Sequence, residues 1–326
     1  MIIGLTYDLR SEYLAAGYSE EAVAEFDSDQ TIDAIDSAIQ QLGHRTERIG
    51  SAFSLVRRLA AGERWDLIFN FAEGLKGRCR ESQVPAMLEL YGIGYTFSDP
   101  LVCALTLDKA MAKILVRDAH LATPAFAVIE NLSQLSQISL KFPLFAKPLA
   151  EGTGKGVDKF SKVDSPKQLQ DVCRRLLEKF DQPVLVEEYL PGREFTTAIL
   201  GSGKKARVLG SMEFTIRKDA PAQDYSYEVK ELCEQFVKYF PAPKGKLRDE
   251  VEDLALKTYQ ALQCRDAARV DIRLDSAGRP SFMEINPLPG MHPTHSDLPM
   301  IATQEGMSFG QLIGEIINSA LERLEK

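Results

Sequence analysis

The chain has no excess of basic residues: 39 Lys and Arg stand against 47 Asp and Glu over 326 residues, a formal net charge of −8. Affinity for duplex nucleic acid comes largely from phosphate neutralisation, so no nucleic-acid partner is expected. Cysteine is scarce. Cys79, Cys103, Cys173, Cys233 and Cys264 are odd in number, and no two have a C-x-x-C spacing. In a chain this long they read as reduced thiols. No apolar run approaches the roughly 20 residues that span a bilayer. The opening MIIGLTYDLR lacks a basic stretch followed by a long apolar one, so neither membrane association nor a signal peptide is expected. A GxSxG elbow, an HExxH helix and a GxGxxG turn after a strand are missing too, and with them three common catalytic or dinucleotide signatures. What is there, 44% apolar and 26% charged residues, suits a soluble cytoplasmic protein of two or three subdomains.

Strand and helix patterns alternate along the first hundred residues. Ile2–Thr6 reads as a buried strand, and Ile32, Ile35, Ile39 and Leu42 recur at helical spacing up to Gly43. Trp65–Phe71 reads as a second strand, and a helix is expected from Ser82 to Tyr91. This predicts an α/β domain over 1–100 with a mainly parallel sheet. Over 101–190 a helix from Asp108 to His120 precedes strand-like runs at Phe142–Pro148 and Val184–Leu190, with a helix between them. From 191 to 326 the pattern gives paired strands at Phe195–Leu200 and Arg207–Thr215. A charged stretch over 217–250 reads as a long loop, and the apolar face of Phe309–Leu324 as core.

The most informative segment is Arg269-Val270-Asp271-Ile272-Arg273-Leu274, a turn at Asp275-Ser276-Ala277-Gly278, then Ser281-Phe282-Met283-Glu284-Ile285-Asn286. It reads as a β-hairpin with Asp271 opposite Glu284 and Arg269 opposite Asn286 on one face, and Val270, Ile272, Met283 and Ile285 on the other. Two carboxylates opposed on adjacent strands repel unless a cation lies between them. With the amide oxygen of Asn286 they form an oxygen-only set suited to Mg²⁺ shared with phosphates, and Arg269 adds a cation. Lys147 lies in a run, Pro143-Leu144-Phe145-Ala146-Lys147-Pro148, that looks buried, which sets it apart from a solvated surface lysine. The loop Glu151-Gly152-Thr153-Gly154-Lys155-Gly156 lacks P-loop spacing, and a strand is expected after it at Val157–Phe160. It reads as a hairpin flap over phosphates.

Assembled, these residues resemble the ATP-grasp superfamily, and within it the D-alanine–D-alanine ligase family. The resemblance rests on Leu107-Asp108-Lys109, Ala146-Lys147-Pro148 with the glycine loop, Glu187 to Thr196, and Glu284-Ile285-Asn286-Pro287-Leu288-Pro289-Gly290-Met291. It implies an ATP-grasp fold of three subdomains with ATP between the central and C-terminal ones. It also implies a ligase that makes an amide through an acyl phosphate, and commonly a homodimer. By resemblance Lys109 and Lys147 grip the ATP phosphates, and Glu187 and Glu194 meet adenine and ribose with the backbone of Glu188 and Leu190. Asp271, Glu284 and Asn286 would hold Mg²⁺, or Mn²⁺ in its place, and Arg269 would steady the transferring phosphoryl group. Lys230 would reach the γ-phosphate from a lid.

The departures concern the amino-acid pocket. Glu73 stands where the family carries His, Thr153 where it carries Ser, and Glu231 where it carries Tyr. Glu25 fits the family's amino-terminal Glu, Arg80 is a cation close enough in sequence to answer Glu73, and Gly290 and Ser296 complete the expected substrate wall. The resulting expectation is a carboxylate–amine ligase whose amino acid is larger or more polar than D-alanine. An authentic D-alanine–D-alanine ligase and a non-catalytic nucleotide-binding homologue are the alternatives.

Overall fold

Strand β1 (Ile2–Thr6) lies at the centre of a three-stranded sheet, parallel to β2 (Arg45–Gly50) on one side and β3 (Leu67–Asn70) on the other. The computed structural model describes residues 1–217, Asp219 and 232–324. The sequence shows β1 and β3 as apolar runs, but it hides β2. That strand is an edge whose Arg45 is exposed, whose Glu47 accepts from Arg58 and Trp65, and whose Arg48 pairs with Asp33 and Asp36 on the helix Asp29–Gln41, so it carries no apolar run. Ser28 caps this helix through Thr31 N, and Gly43 ends it at φ 87°.

A second, antiparallel sheet has the order β4 (Phe126–Ile129), β7 (Val184–Glu188), β5 (Leu144–Pro148), β6 (Lys162–Val163). The helix Pro166–Phe180 covers it through Leu169, Val172, Cys173 and Leu176. The strand expected at Val157–Phe160 does not form. Those residues turn, with Gly154 and Gly156 at positive φ, and only Lys162–Val163 pairs with β5.

The third sheet runs β10 (Val237–Pro241), β9 (Arg207–Ile216), β8 (Glu194–Leu200), β11 (Ala267–Leu274), β12 (Pro280–Asn286), antiparallel throughout. The expected loop over 217–250 is therefore shorter than its composition implies. β10 is an edge strand, where charge is tolerated, and the helix Lys246–Ala261 starts inside the stretch, its buried side formed by Val251, Leu254, Ala255 and Tyr259. Lys230 and Glu231 lie outside the described residues.

The apolar face of Phe309–Leu324 is core, as expected. Leu312, Ile313, Ile316 and Ile317 pack with Ile3, Leu5, Ile35 and Phe69 and with Ala198 and Leu200 of β8. The fully buried Asp266 fastens the same helix, accepting from Arg323 (2.6 Å), Ser319 (2.8 Å) and the backbone N–H of Phe97 (2.8 Å). The first and third sheets are thereby joined through one helix. No helix among the described residues is long and apolar enough to cross a membrane.

Candidate active site

The hairpin β11–β12 forms in the expected register, with Arg269 opposite Asn286 and Asp271 opposite Glu284. Beyond that pair a bulge shifts the register, so Ile272 meets Phe282. Met283 is the extra residue. The sequence places it on the core face with Val270, Ile272 and Ile285, but Phe282 takes that place, fully buried, and Met283 turns with Glu284 into a cavity. A bulge breaks the strict two-residue alternation, which a sequence pattern assumes.

That cavity, about 120 Å³, lies between the second and third sheets. Phe145, Tyr189, Leu190, Phe214 and Met283 give it an apolar slot, and Lys109, Lys147, Glu194, Arg273 and Glu284 a polar side. Phe145 and Tyr189 stack at 6.3 Å. Asp108 caps the helix Lys109–Asp118 through Met111 N (3.1 Å). This aims Lys109 at the carbonyl of Glu151 (2.6 Å) and the carboxylate of Glu284 (3.7 Å). Lys147 reaches Glu284 (3.7 Å) and Glu187 (3.3 Å).

Glu187 lines this cavity as well. Its carboxylate is 1% exposed and turned to Lys147 and to Lys113, which is fully buried and 3.0 Å away. Burial opposes its ionisation, yet the ammonium groups of Lys113 and Lys147 outweigh it and hold Glu187 below the usual carboxylate range. The backbone N–H of Glu188 is already bonded to the carbonyl of Ala125 (2.9 Å). Lys113 itself escaped sequence reading, since nothing in Ala112-Lys113-Ile114 separates it from a surface lysine. Arg273 escaped as well; it pairs with Glu194 (3.6 Å) and with the hydroxyl of Tyr189 (3.2 Å).

Asp271 accepts from Thr196 and the amide of Asn286 (3.3 Å) and pairs with Arg269 (3.2 Å). Burial first, and the facing Glu284 after the opposing pull of Arg269, push its carboxyl up. This pair of crowded carboxylates beside an amide oxygen fits a divalent cation, which would relieve the repulsion. Arg269 also donates to Asp297 (2.6 Å).

A second cavity, about 620 Å³, opens on the far side of Lys109, Thr153, Arg269, Glu284 and Asp297, which line both. Glu25, Asp27, Glu73 and Glu81 line it from the first sheet's side, and Gly290, His292 and Ser296 from the loop after β12. Ser296 accepts from His292 N (3.0 Å), and Gly290 lies so close that a Cβ there would meet the Ser296 hydroxyl at 2.8 Å. Thr153 sits at φ 49°, unusual for a β-branched residue, and its buried hydroxyl has no hydrogen-bond partner among the described residues.

Glu25 is a latch. It accepts from Gly152 N (2.6 Å) and Arg80 (2.9 Å) and pairs with Lys155 (3.3 Å), tying the amino-terminal segment to the glycine loop. Burial resists its charge, but Arg80 and Lys155 prevail and hold it at about 2. Arg80 also donates to the carbonyl of Ala150 (2.9 Å). The sequence suggests Arg80 as the partner of Glu73; in the structure it is bonded to Glu25 instead.

Glu73 is left high. Burial, then the charges of Glu81 and Glu25, raise it well above the usual range. Burial likewise raises Glu81 to about 7, and burial with Asp8 raises Asp27 to about 8. Between pH 4.5 and 8 these three carboxyls bind more protons in the native state than in the unfolded chain, so their contribution to stability falls as pH rises through that window; the depressed His292 opposes it in part. From Glu81, which is 9% exposed, the loss is on the order of 2–3 kcal/mol. The thermal midpoint of the ligand-free protein is expected to drop several degrees from pH 5.5 to 8.5, and less in Glu81→Gln. Equal midpoints in the wild type would assign these carboxyls ordinary pKa values.

Residues 115–318 match the family described as D-ala D-ala ligase C-terminus. An uncharacterised protein of Sinorhizobium fredii, y4sG, is 37% identical over 89% of this chain and 87% of its own length. A D-alanine–D-alanine ligase of Bordetella petrii is 34% identical over 88% of this chain and 82% of its own. Among solved structures, the D-alanine–D-alanine ligase from Bacillus anthracis complexed with ATP superposes with a TM-score of 0.75 at 22% identity, covering 100% of this chain and 99% of its own. The VanG D-Ala:D-Ser ligase from Enterococcus faecalis gives 0.76 at 21%, covering 98% and 99%. At such identities the structures speak for the fold alone.

Proposed function

Since the chain belongs to the D-alanine–D-alanine ligase family and has its ATP-grasp fold, we propose that it joins a carboxylate to the amine of an amino acid through an acyl phosphate, with ADP and orthophosphate as products. The observation that carries this reading is the wall of five residues common to the two cavities. A phosphoryl donor seated between the sheets and a carboxylate in the larger cavity would meet across it.

Each residue then has a physical task. Lys109 and Lys147 supply fixed positive charge to the phosphates, and the aromatic slot takes the base. Asp271, Glu284 and Asn286 would hold Mg²⁺, which supplies further charge neutralisation. Arg269, gripped by Asp297 and Asp271, presents its guanidinium at the junction, where negative charge gathers as the carboxylate oxygen takes the γ-phosphoryl group. The amine next attacks the acyl carbon, the amide forms, phosphate leaves and the amine gives up a proton. Splitting the reaction this way replaces a poor electrophile by one with a good leaving group.

Two readings of the amino acid compete. The Bordetella relative favours D-alanine. Glu73, beside Glu81 and Asp27 in the cavity wall, favours a more polar substrate, because a methyl side chain offers such carboxylates nothing. The test is phosphate release from ATP and Mg²⁺ across amino acids taken singly and in pairs. ADP and orthophosphate are expected, whereas AMP and pyrophosphate would mean acyl adenylation and overturn the mechanism.

A further inference from the structure

Six carboxylates line the larger cavity, and they fall into two groups. Glu25, Glu284 and Asp297 are answered by Arg80 and Lys155, by Lys109 and Lys147, and by Arg269. Asp27, Glu73 and Glu81 have no side-chain hydrogen bond or ion pair among the described residues; Arg80 draws on Glu73 and Glu81, and Lys109 on Glu81, only through space, and Arg10 lines the same cavity. Glu81 is the sharpest case. It sits on the short turn Arg80–Ser82 with 9% exposure, and the cavity is where that residual exposure opens. Its carboxylate oxygens are not sealed into the core, so they are met by whatever fills the cavity. The three are close enough that Glu81, Glu25 and Asp27 all act on the charge of Glu73.

Three kinds of ligand could meet such a wall. A metal ion fits poorly, since Asp27, Glu73 and Glu81 do not converge as a ligand group, whereas an amine or guanidinium, with several N–H groups pointing apart, does not need them at one point. The lone α-ammonium of a neutral amino acid supplies one positive charge to three carboxylates. Glu25, on the same wall, is already held by Gly152, Arg80 and Lys155 and has little capacity left for a ligand cation. A second cation on the ligand is what remains.

Resting on the ligase reading, we propose that one amino-acid substrate carries a basic side chain, an amine or guanidinium, which the carboxylates of Asp27, Glu73 and Glu81 receive. Lys109 and Arg269, on the same cavity wall, leave the junction cationic for the carboxylate end. The wall thus matches a ligand with an anionic head and a cationic tail. Such a ligand favours the ionised form of carboxyls whose charge burial opposes, and charge-assisted hydrogen bonds in a desolvated pocket give it selectivity.

The experiment compares kcat/KM, from ATP- and Mg²⁺-dependent phosphate release by the full chain, for ornithine, lysine, 2,4-diaminobutyrate and arginine against norleucine and alanine, in both enantiomers. One basic amino acid is expected to exceed norleucine by roughly 10- to 100-fold, the factor of one or two charged hydrogen bonds. In Glu81→Gln and in Glu73→Gln that ratio should fall toward one. A ratio within one protein is independent of the fraction folded, so loss of the preference is not confused with loss of the fold. Alanine or norleucine matching every basic amino acid overturns the inference and leaves the ligase standing. Preference for a basic substrate that survives both variants also overturns it, by placing recognition elsewhere. No phosphate release with any amino acid would defeat the ligase reading, and this inference with it.

Discussion

Glu284→Gln is expected to lower kcat by roughly 10²–10³-fold, the scale of losing one preorganised charge at a phosphoryl-transfer site, with the thermal midpoint within a few degrees of the wild type. Its carboxylate faces Asp271 across the hairpin and lies 3.7 Å from both Lys109 and Lys147. Glutamine keeps the length and one oxygen but removes the charge that would hold a divalent ion and space the two lysines. Because Glu284 is partly exposed to both cavities, the fold loses little. Steady-state kinetics at varied Mg²⁺ checks it: the variant should need more metal as well as turn over slowly. Wild-type kcat in a folded variant would remove Glu284 from the metal and phosphate site.

Lys113→Met should cost about 3–5 kcal/mol of stability, as breaking a buried ion pair from one side does. Lys113 is fully buried, pairs with Glu187 at 3.0 Å and donates to Thr123 (3.2 Å) and to the carbonyl of Phe282 (3.3 Å). Burial pulls the lysine's pKa down and Glu187 pulls it back up. Methionine leaves Glu187 with Lys147 alone and frees the bulge beside Glu284. Urea unfolding of the single variant and of Lys113→Met with Glu187→Gln tests this. The double variant should recover much of the loss, since the uncompensated charge is gone. A single variant as stable as the wild type would show that Lys113 is held neutral.

Much of the fold was legible because its signals are local. The periodicity of Ile32 to Leu42, the helix beginning at Asp108, the apolar runs at β1, β5 and β7 and the turn after Leu274 each depend on residues a few positions apart. The strands β2 and β10 and the helix Lys246–Ala261 were not, because edge strands and half-exposed helices carry charge that dilutes the pattern. The hairpin shows the limit at one residue. Its register at Asp271 and Glu284 was readable from alternation, and the bulge that turns Met283 into the smaller cavity was not.

The sequence by itself determined the α/β character, the ordered motifs of an ATP-grasp ligase, and the opposition of two carboxylates beside an amide. Only the tertiary structure decided which charges meet. It paired Arg80 with Glu25 instead of Glu73, put Lys113 beneath Glu187, and left Asp27, Glu73 and Glu81 together on one cavity wall. Strand and helix patterns arise from neighbours along the chain. An ion pair depends on groups tens of residues apart converging within a few ångströms, and its strength on how much water the surrounding core excludes.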